Sequence, residues 1–204
     1  MSFYQRHVLP RLLHLAMRQQ VLRPFRARVI GAAEGRVLEI GIGSGLNLPL
    51  YGGQVRTVIG LEPSPKLLQM ARARAAMASV PVELLEASAE ALPLDTGSID
   101  TVVTTWTLCT IPDPQRALVE MRRVLRPGGA LLFVEHGRAP EPGVARWQDL
   151  LDPLWCRAAG GCHLNRKIDG LLLGGGFRLD TLTNARLPGP RTHTFLYEGC
   201  ARPV

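Results

Sequence analysis

Arg36-Val37-Leu38-Glu39-Ile40-Gly41-Ile42-Gly43-Ser44-Gly45 decides the fold. Residues 36–40 are a short apolar run between Gly35 and Gly41, the pattern of a buried strand. The glycines permit a tight turn and let backbone approach a ligand without a Cβ in the way. Residues 46–51 then read as a short helix. Glu62 stands 21 residues after Gly41, at the end of a second strand over Val55–Leu61. A carboxylate there can accept hydrogen bonds from two ribose hydroxyls. Together these features predict a nucleoside site at the switch point of an open α/β sheet. The dinucleotide spacing GxGxxG fails, because Leu46 stands where Gly or Ala is required. The spacing is GxGxG, with Glu39 just before it. An acid beside the loop repels a pyrophosphate and suits a ligand carrying an ammonium group.

Outward from this motif the chain alternates strands and helices. A helix is predicted over Pro65–Met77, strands over Val82–Leu85 and Ile99–Thr104, a helix over Gln115–Leu125 stopped by Pro127-Gly128-Gly129, and a strand over Ala130–Glu135. Helical patterns follow at 143–158 and 164–173. Two late strands, Phe177–Thr183 and His193–Glu198, flank a Pro/Gly turn at 188–190. Alternation predicts a doubly wound, mostly parallel sheet with helices on both faces. The last two strands leave no room for a crossover helix, so they are expected as an antiparallel hairpin at the sheet edge.

The 204 residues suit one domain with a full core. Hydrophobic residues make up 46% and charged residues 20%, which argues against disorder. No apolar run approaches the roughly 20 residues of a membrane span. No signal peptide is read, because Arg, Gln and His break residues 1–30. Four cysteines (109, 156, 162, 200) without a CxxC pair favour a reducing, cytoplasmic setting over a secreted one. The net charge is +7, of which residues 1–36 carry +6 through seven Arg against Glu34.

Val37–Gly45 resembles the first motif of class I S-adenosylmethionine-dependent methyltransferases. The likeness continues at Gly60-Leu61-Glu62-Pro63-Ser64, Ala87-Ser88-Ala89-Glu90-Ala91-Leu92-Pro93, Asp100–Thr110 and Arg123-Val124-Leu125-Arg126-Pro127-Gly128-Gly129. The resemblance implies a seven-stranded Rossmann-like sheet with its last strand antiparallel, and S-adenosyl-L-methionine as cofactor. It implies that Glu39 anchors the loop and the methionine end, with Gly41 and Gly43 against the methionine moiety. Gly45, Asn47 and Pro63 fall in the same motifs, and Glu62 would hold the ribose. Ser88 and Ala89 would border the adenine, resting on the Ala89 amide because many relatives have Asp where Ser88 stands. Thr105 and Trp106 would line the methyl-donor side.

Acceptors in such sheets lie beyond the carboxyl ends of the strands. Thr107 and Cys109 follow the fourth strand and His136 ends the fifth. His136 suits a general base, or it caps the strand. Cys109 suits a polar wall, or a small buried hydrophobe. A zinc site built from Cys156, Cys162 and His163 lacks standard spacing and a fourth ligand, so no metal is expected. Leu151–Trp155, Gly161–Arg166, Thr107–Cys109 and Phe133–His136 are similar to stretches of vertebrate alkyl-thiol methyltransferases and their bacterial relatives. Those vertebrate proteins carry a longer apolar N-terminal anchor and an acid where Lys167 stands. A looser likeness extends to bacterial phosphatidylethanolamine N-methyltransferases and quinone C-methyltransferases. The expected acceptor is a small apolar molecule, a thiol by preference, entering near Tyr4, Trp155, His163 and Arg166. A phospholipid or quinone methyltransferase at the membrane surface and a non-catalytic cofactor-binding protein are the alternatives.

Residues 3–22 carry an apolar stripe (Phe3, Tyr4, Val8, Leu9, Leu12, Leu13, Ala16, Met17) opposite Arg and Gln, ended by Pro24. Residues 1–30 are read as a basic amphipathic lid on a methyltransferase domain over 31–204. A peripheral membrane helix and a solvated surface helix remain open. Nucleic acid is not expected, because no recognition motif or aromatic–basic interleaving is present.

Overall fold

A computed structural model describes residues 3–204. Seven strands form one sheet: β1 (Gly35–Ile40), β2 (Val55–Leu61), β3 (Val82–Leu85), β4 (Ile99–Thr105), β5 (Leu125–His136), β6 (Phe177–Arg186) and β7 (Phe195–Pro203). Their order is β3-β2-β1-β4-β5-β7-β6. The first five are parallel, and β7 runs antiparallel to both β5 and β6. The chain leaves β1 toward β2 and β3, then returns to β4 on the other side of β1. That reversal opens a crevice at the carboxyl ends of β1 and β4.

Six α-helices cover the sheet: α1 (Leu9–Met17), α2 (Arg23–Gly31), α3 (Pro65–Ala75), α4 (Pro114–Val124), α5 (Pro142–Ala158) and α6 (Ile168–Gly174). Starts of α3 and α4 are written locally. Ser64 and Asp113 accept from the amides of Leu67 and Arg116, and a proline follows each cap. Strand alternation then separates two cores. Leu38 and Ile40 pack with Leu118 and Met121 of α4 and Ile168 and Leu172 of α6. Val37 packs on the other face with Val29 and Ile30 of α2 and Leu68 of α3. Glu39, at odd register with Val37, therefore faces the α2 side.

Several expected boundaries shift. Pro24 does not end a helix. The first helix stops at Met17, and Pro24 sits in the opening turn of α2, where its missing N–H costs nothing. The helix expected over 164–173 begins only at Ile168, since the Leu164 amide is taken by Asp152 and the Arg166 carbonyl by the Arg138 amide. The pattern at 46–51 forms a single 3₁₀ turn, Leu48–Leu50. The last two strands are longer than expected, because pairing continues from Arg186↔Phe195 to Phe177↔Pro203. The expected hairpin is present, with β6 at the edge and β7 inside it.

Candidate active site

Gly41 follows β1 with φ +68°, and a Cβ there would meet the Thr107 side chain at 2.5 Å. The glycine thus lets the loop close against the end of β4. Glu62, at the end of β2, is 6% exposed. Its carboxylate accepts from the Gly43 amide at 3.0 Å and the Ser64 amide at 2.9 Å. Burial raises its pKa, and those two amides oppose the rise. Each oxygen keeps lone pairs for further donors.

Behind the loop lies a buried polar chain. Glu39 accepts from Asn47 Nδ2 at 2.8 Å and from the Tyr51 hydroxyl at 2.8 Å. Asn47 also donates to Thr105 Oγ1 and accepts from Arg26 Nη1 at 2.9 Å. Arg26 donates onward to the Met17 carbonyl and lies 4.7 Å from the centre of the Trp106 ring. Burial pushes Glu39 up to about 7, against the pull of Tyr51, Asn47 and Arg26. Burial also lowers Arg26 to about 10, with Glu39 holding it up. Trp106 is the non-glycine residue with positive φ (+53°) among those described. Such backbone is strained and persists where the surroundings hold it; here the Trp106 amide bonds Val134 and the ring meets Arg26.

These elements enclose a cavity of about 1230 Å³. It exceeds the roughly 300–1,000 Å³ usual for a single ligand, which leaves space for two molecules. Gly41, Gly43, Asn47, Glu62, Pro63, Ser88, Ala89, Thr105, Trp106 and Thr107 line it. Glu39 and Gly45 lie behind that wall. Leu9, Pro10, Leu13, His14 and Met17 of α1 roof it, and His14 Nδ1 shares a 2.7 Å hydrogen bond with Ser44 Oγ of the glycine loop. The N-terminal stripe thus splits. Leu9 and Pro10 are buried, whereas Val8, Leu12 and Leu15 face outward.

The remaining sequence candidates stand outside the lining. Tyr4 donates to the Ala158 carbonyl at 2.8 Å. Trp155 packs edge-on against His193. His163 pairs with Asp152 at 2.8 Å. Arg166 donates to the carbonyls of Leu108 and Ile111, so it pins the loop after β4. Cys109 and His136 are 2% and 6% exposed and meet Cys162. The hydrogen bond between the thiols is the leading cause that drives Cys162 below and Cys109 above the usual range. Glu135, beside them, is raised to about 7 by burial and accepts from the Thr107 amide.

Sequence patterns missed Arg26 and Glu86, both in the lining. Arg26 sits in a helix that was not anticipated, and a single Arg among seven basic residues gives no local signal. Glu86 follows β3 and offers only its place beside Ser88.

A glycine loop, a buried carboxylate at the end of β2 and a crevice at the switch point define the Rossmann-like fold that S-adenosylmethionine-dependent methyltransferases share. The cavity fits that cofactor: Glu62 has free lone pairs, Gly41 and Gly43 present bare backbone, and Arg26 offers a buried cation near Asn47. Comparison with known proteins agrees. Residues 38–133 match the family described as "Methyltransferase domain". The chain is 37% identical over 141 residues to the human thiol S-methyltransferase TMT1B, covering 66% of this chain and 57% of that protein. It is 37% identical over 131 residues to phosphatidylethanolamine N-methyltransferase of Cereibacter sphaeroides, covering 60% and 64%. It therefore spans less than two thirds of the curated relatives it matches. A solved SAM-dependent methyltransferase from Methanosarcina mazei has the same fold, with TM-score 0.68, 21% identity, and coverage of 91% and 98%. Residues 38–133 are thus similar to methyltransferase domains, and the fold is that of S-adenosylmethionine-dependent methyltransferases.

The Glu62 site has a pH signature. Ribose hydroxyls placed at Glu62 would donate to the ionised carboxylate, so binding would favour that form and lower a pKa that burial has raised. Cofactor affinity is expected to fall on acidification from pH 8 toward pH 5. Titration calorimetry across that range checks it, and Glu62→Gln should flatten the trend.

Proposed function

We propose that this protein transfers a methyl group to a small apolar thiol. The observation that carries the proposal is the apolar part of the lining, Leu9, Leu13, Ile111, Pro112 and Gly160, with Leu9 against Gly160. Among the described residues, the carboxylates lining the cavity are Glu62 and Glu86, both at the nucleoside side. With both given to the nucleoside, the lining offers no further acid for an ammonium acceptor. A thiol needs none, because the species that attacks is the anionic thiolate, its proton having passed to solvent. The 37% identity to a human thiol S-methyltransferase supports the same acceptor.

S-adenosylmethionine supplies an electrophilic methyl on a sulfonium centre. Glu62 holds the ribose, Ser88 and Ala89 border the adenine, and the backbone of Gly41 and Gly43 faces the methionine portion. Arg26 is positioned to meet the cofactor's carboxylate. Thr105, Trp106 and Thr107 shape the passage to the acceptor, so that alignment supplies most of the acceleration. Residues 3–22 act as a lid, held by the His14–Ser44 and Tyr4–Ala158 contacts. In this geometry His136 faces Cys162. A role as base would require it to turn toward the cavity.

The test measures S-adenosylhomocysteine release with alkyl thiols, amines, phospholipids and quinones. Turnover confined to thiols is expected. Release with no acceptor in the panel, beside measurable cofactor binding, would leave a non-catalytic binder. Deleting residues 1–22 should weaken cofactor affinity about tenfold, roughly 1.4 kcal/mol, by removing the roof. Unchanged affinity in calorimetry would remove the lid.

One surface favours a second reading, a phospholipid or quinone methyltransferase at an anionic membrane. Val8, Leu12 and Leu15 of the N-terminal region and Trp147, Leu150 and Leu154 of α5 are exposed, and Arg6 and Arg11 lie on the same N-terminal segment. Among the described residues no helix is long and apolar enough to cross a membrane. Liposome flotation that weakens as salt rises, with methylation of the lipid fraction, would favour this reading.

A further inference from the structure

Three soft ligands from three separate segments converge behind the acceptor wall. Cys109 lies in the loop after β4, His136 ends β5, and Cys162 belongs to the α5–α6 connection. The Sγ atoms of Cys109 and Cys162 are 3.6 Å apart. His136 Nδ1 lies 3.9 Å from Cys162 Sγ. One ligand atom from each residue falls within 4.8 Å of the other two.

Zinc takes Zn–S bonds of about 2.3 Å and Zn–N bonds of about 2.0–2.1 Å in tetrahedral array, which puts ligand atoms roughly 3.5–3.8 Å apart. The observed separations approach that spacing with little movement. Left as free thiols and imidazole, the cluster makes only long sulfur contacts. Burying polar groups so poorly matched costs stability, and a bound cation would offset that cost.

We infer that Cys109, His136 and Cys162 form a Cys₂His site for Zn²⁺, with a fourth position open to an exogenous ligand. Three protein ligands and an open position are the pattern of non-structural zinc sites. The set differs from the Cys156, Cys162 and His163 grouping suggested by sequence spacing. His163 is committed to Asp152 and Cys156 to His163. Binding releases the two thiol protons to solvent and changes no oxidation state. The ion would tie the β4 and β5 ends to the Ala159–Lys167 loop. That loop supplies Gly160 to the cavity wall, so zinc would rigidify the acceptor side. The inference does not depend on which acceptor is methylated.

The experiment titrates full-length, metal-free protein with Zn²⁺ against a chromophoric chelator, under a non-thiol reductant. About one equivalent bound is expected, and Co²⁺ should give thiolate-to-metal charge-transfer bands with tetrahedral d–d absorption. Cys162→Ser should lose that equivalent while keeping its circular dichroism spectrum and S-adenosylhomocysteine affinity. The Cys156→Ser, His163→Asn double variant should retain it. No stoichiometric zinc in the native chain overturns the inference. So does zinc that Cys162→Ser leaves undiminished, or a Cys109–Cys162 disulfide in a protein that takes up no metal after reduction.

Discussion

Replacing Glu62 with alanine is expected to weaken S-adenosylmethionine binding on the order of 100-fold. The carboxylate is buried, and each hydrogen bond to a charged acceptor contributes roughly 1.5–3 kcal/mol. At the lower end of that range two ribose hydroxyls on Glu62 would account for about 3 kcal/mol, a factor on the order of 100. The same substitution frees the Gly43 and Ser64 amides that Glu62 now engages, so the glycine loop also loses an anchor. Titration calorimetry reads the change, and an unchanged thermal midpoint without cofactor separates binding from folding. Unaltered affinity would remove the ribose site from this position.

The second large effect concerns stability. Arg26→Ala removes the cation that reaches Glu39 through Asn47, and losing a hydrogen bond to a charged group costs roughly 1.5–3 kcal/mol. For a domain of this size that is roughly a 5 °C fall in Tm. Glu39→Gln in the same background should restore part of it, because the stranded charge disappears. The sign with pH follows from the raised Glu39 pKa. Its burial cost is absent below the ordinary carboxyl value of 4.5 and grows until pH passes about 7. The Arg26→Ala defect should therefore be smallest near pH 5 and largest above pH 7. Denaturant unfolding at both pH values measures it. A defect independent of pH would show that Arg26 stabilises through packing on Trp106 and not through Glu39.

Local pattern carried a large part of this fold. The strand at 36–40, the glycines and the acid at 62 lie close in sequence, and their geometry follows from short-range rules of turn and strand. The helix starts expected at Pro65 and Gln115 fall within a residue of those of α3 and α4, because their caps, Ser64 and Asp113, are local. The failures share a cause. Pro24 has one local meaning as a helix end and another as a helix start, and packing of Val29 and Ile30 on the sheet selected the second. Leu12 and Leu13 look alike in the apolar stripe, yet only Leu13 meets the cavity. The direction of α1 was settled by His14 on Ser44 and Tyr4 on Ala158, contacts 30 and 154 residues apart in sequence.

By itself, the sequence determined the parallel core, the nucleotide-type turn and the acid at the end of β2, because each depends on neighbours within a few turns of chain. Only the tertiary structure decided which charges are buried partners and which cysteines meet. Arg26 reaches Asn47 because strand alternation points Glu39 at the face that α2 covers. Cys109, His136 and Cys162 converge because β4 and β5 are adjacent and the α5–α6 connection returns over their ends. Such encounters are set by the order of strands in the sheet, which no spacing along the chain encodes.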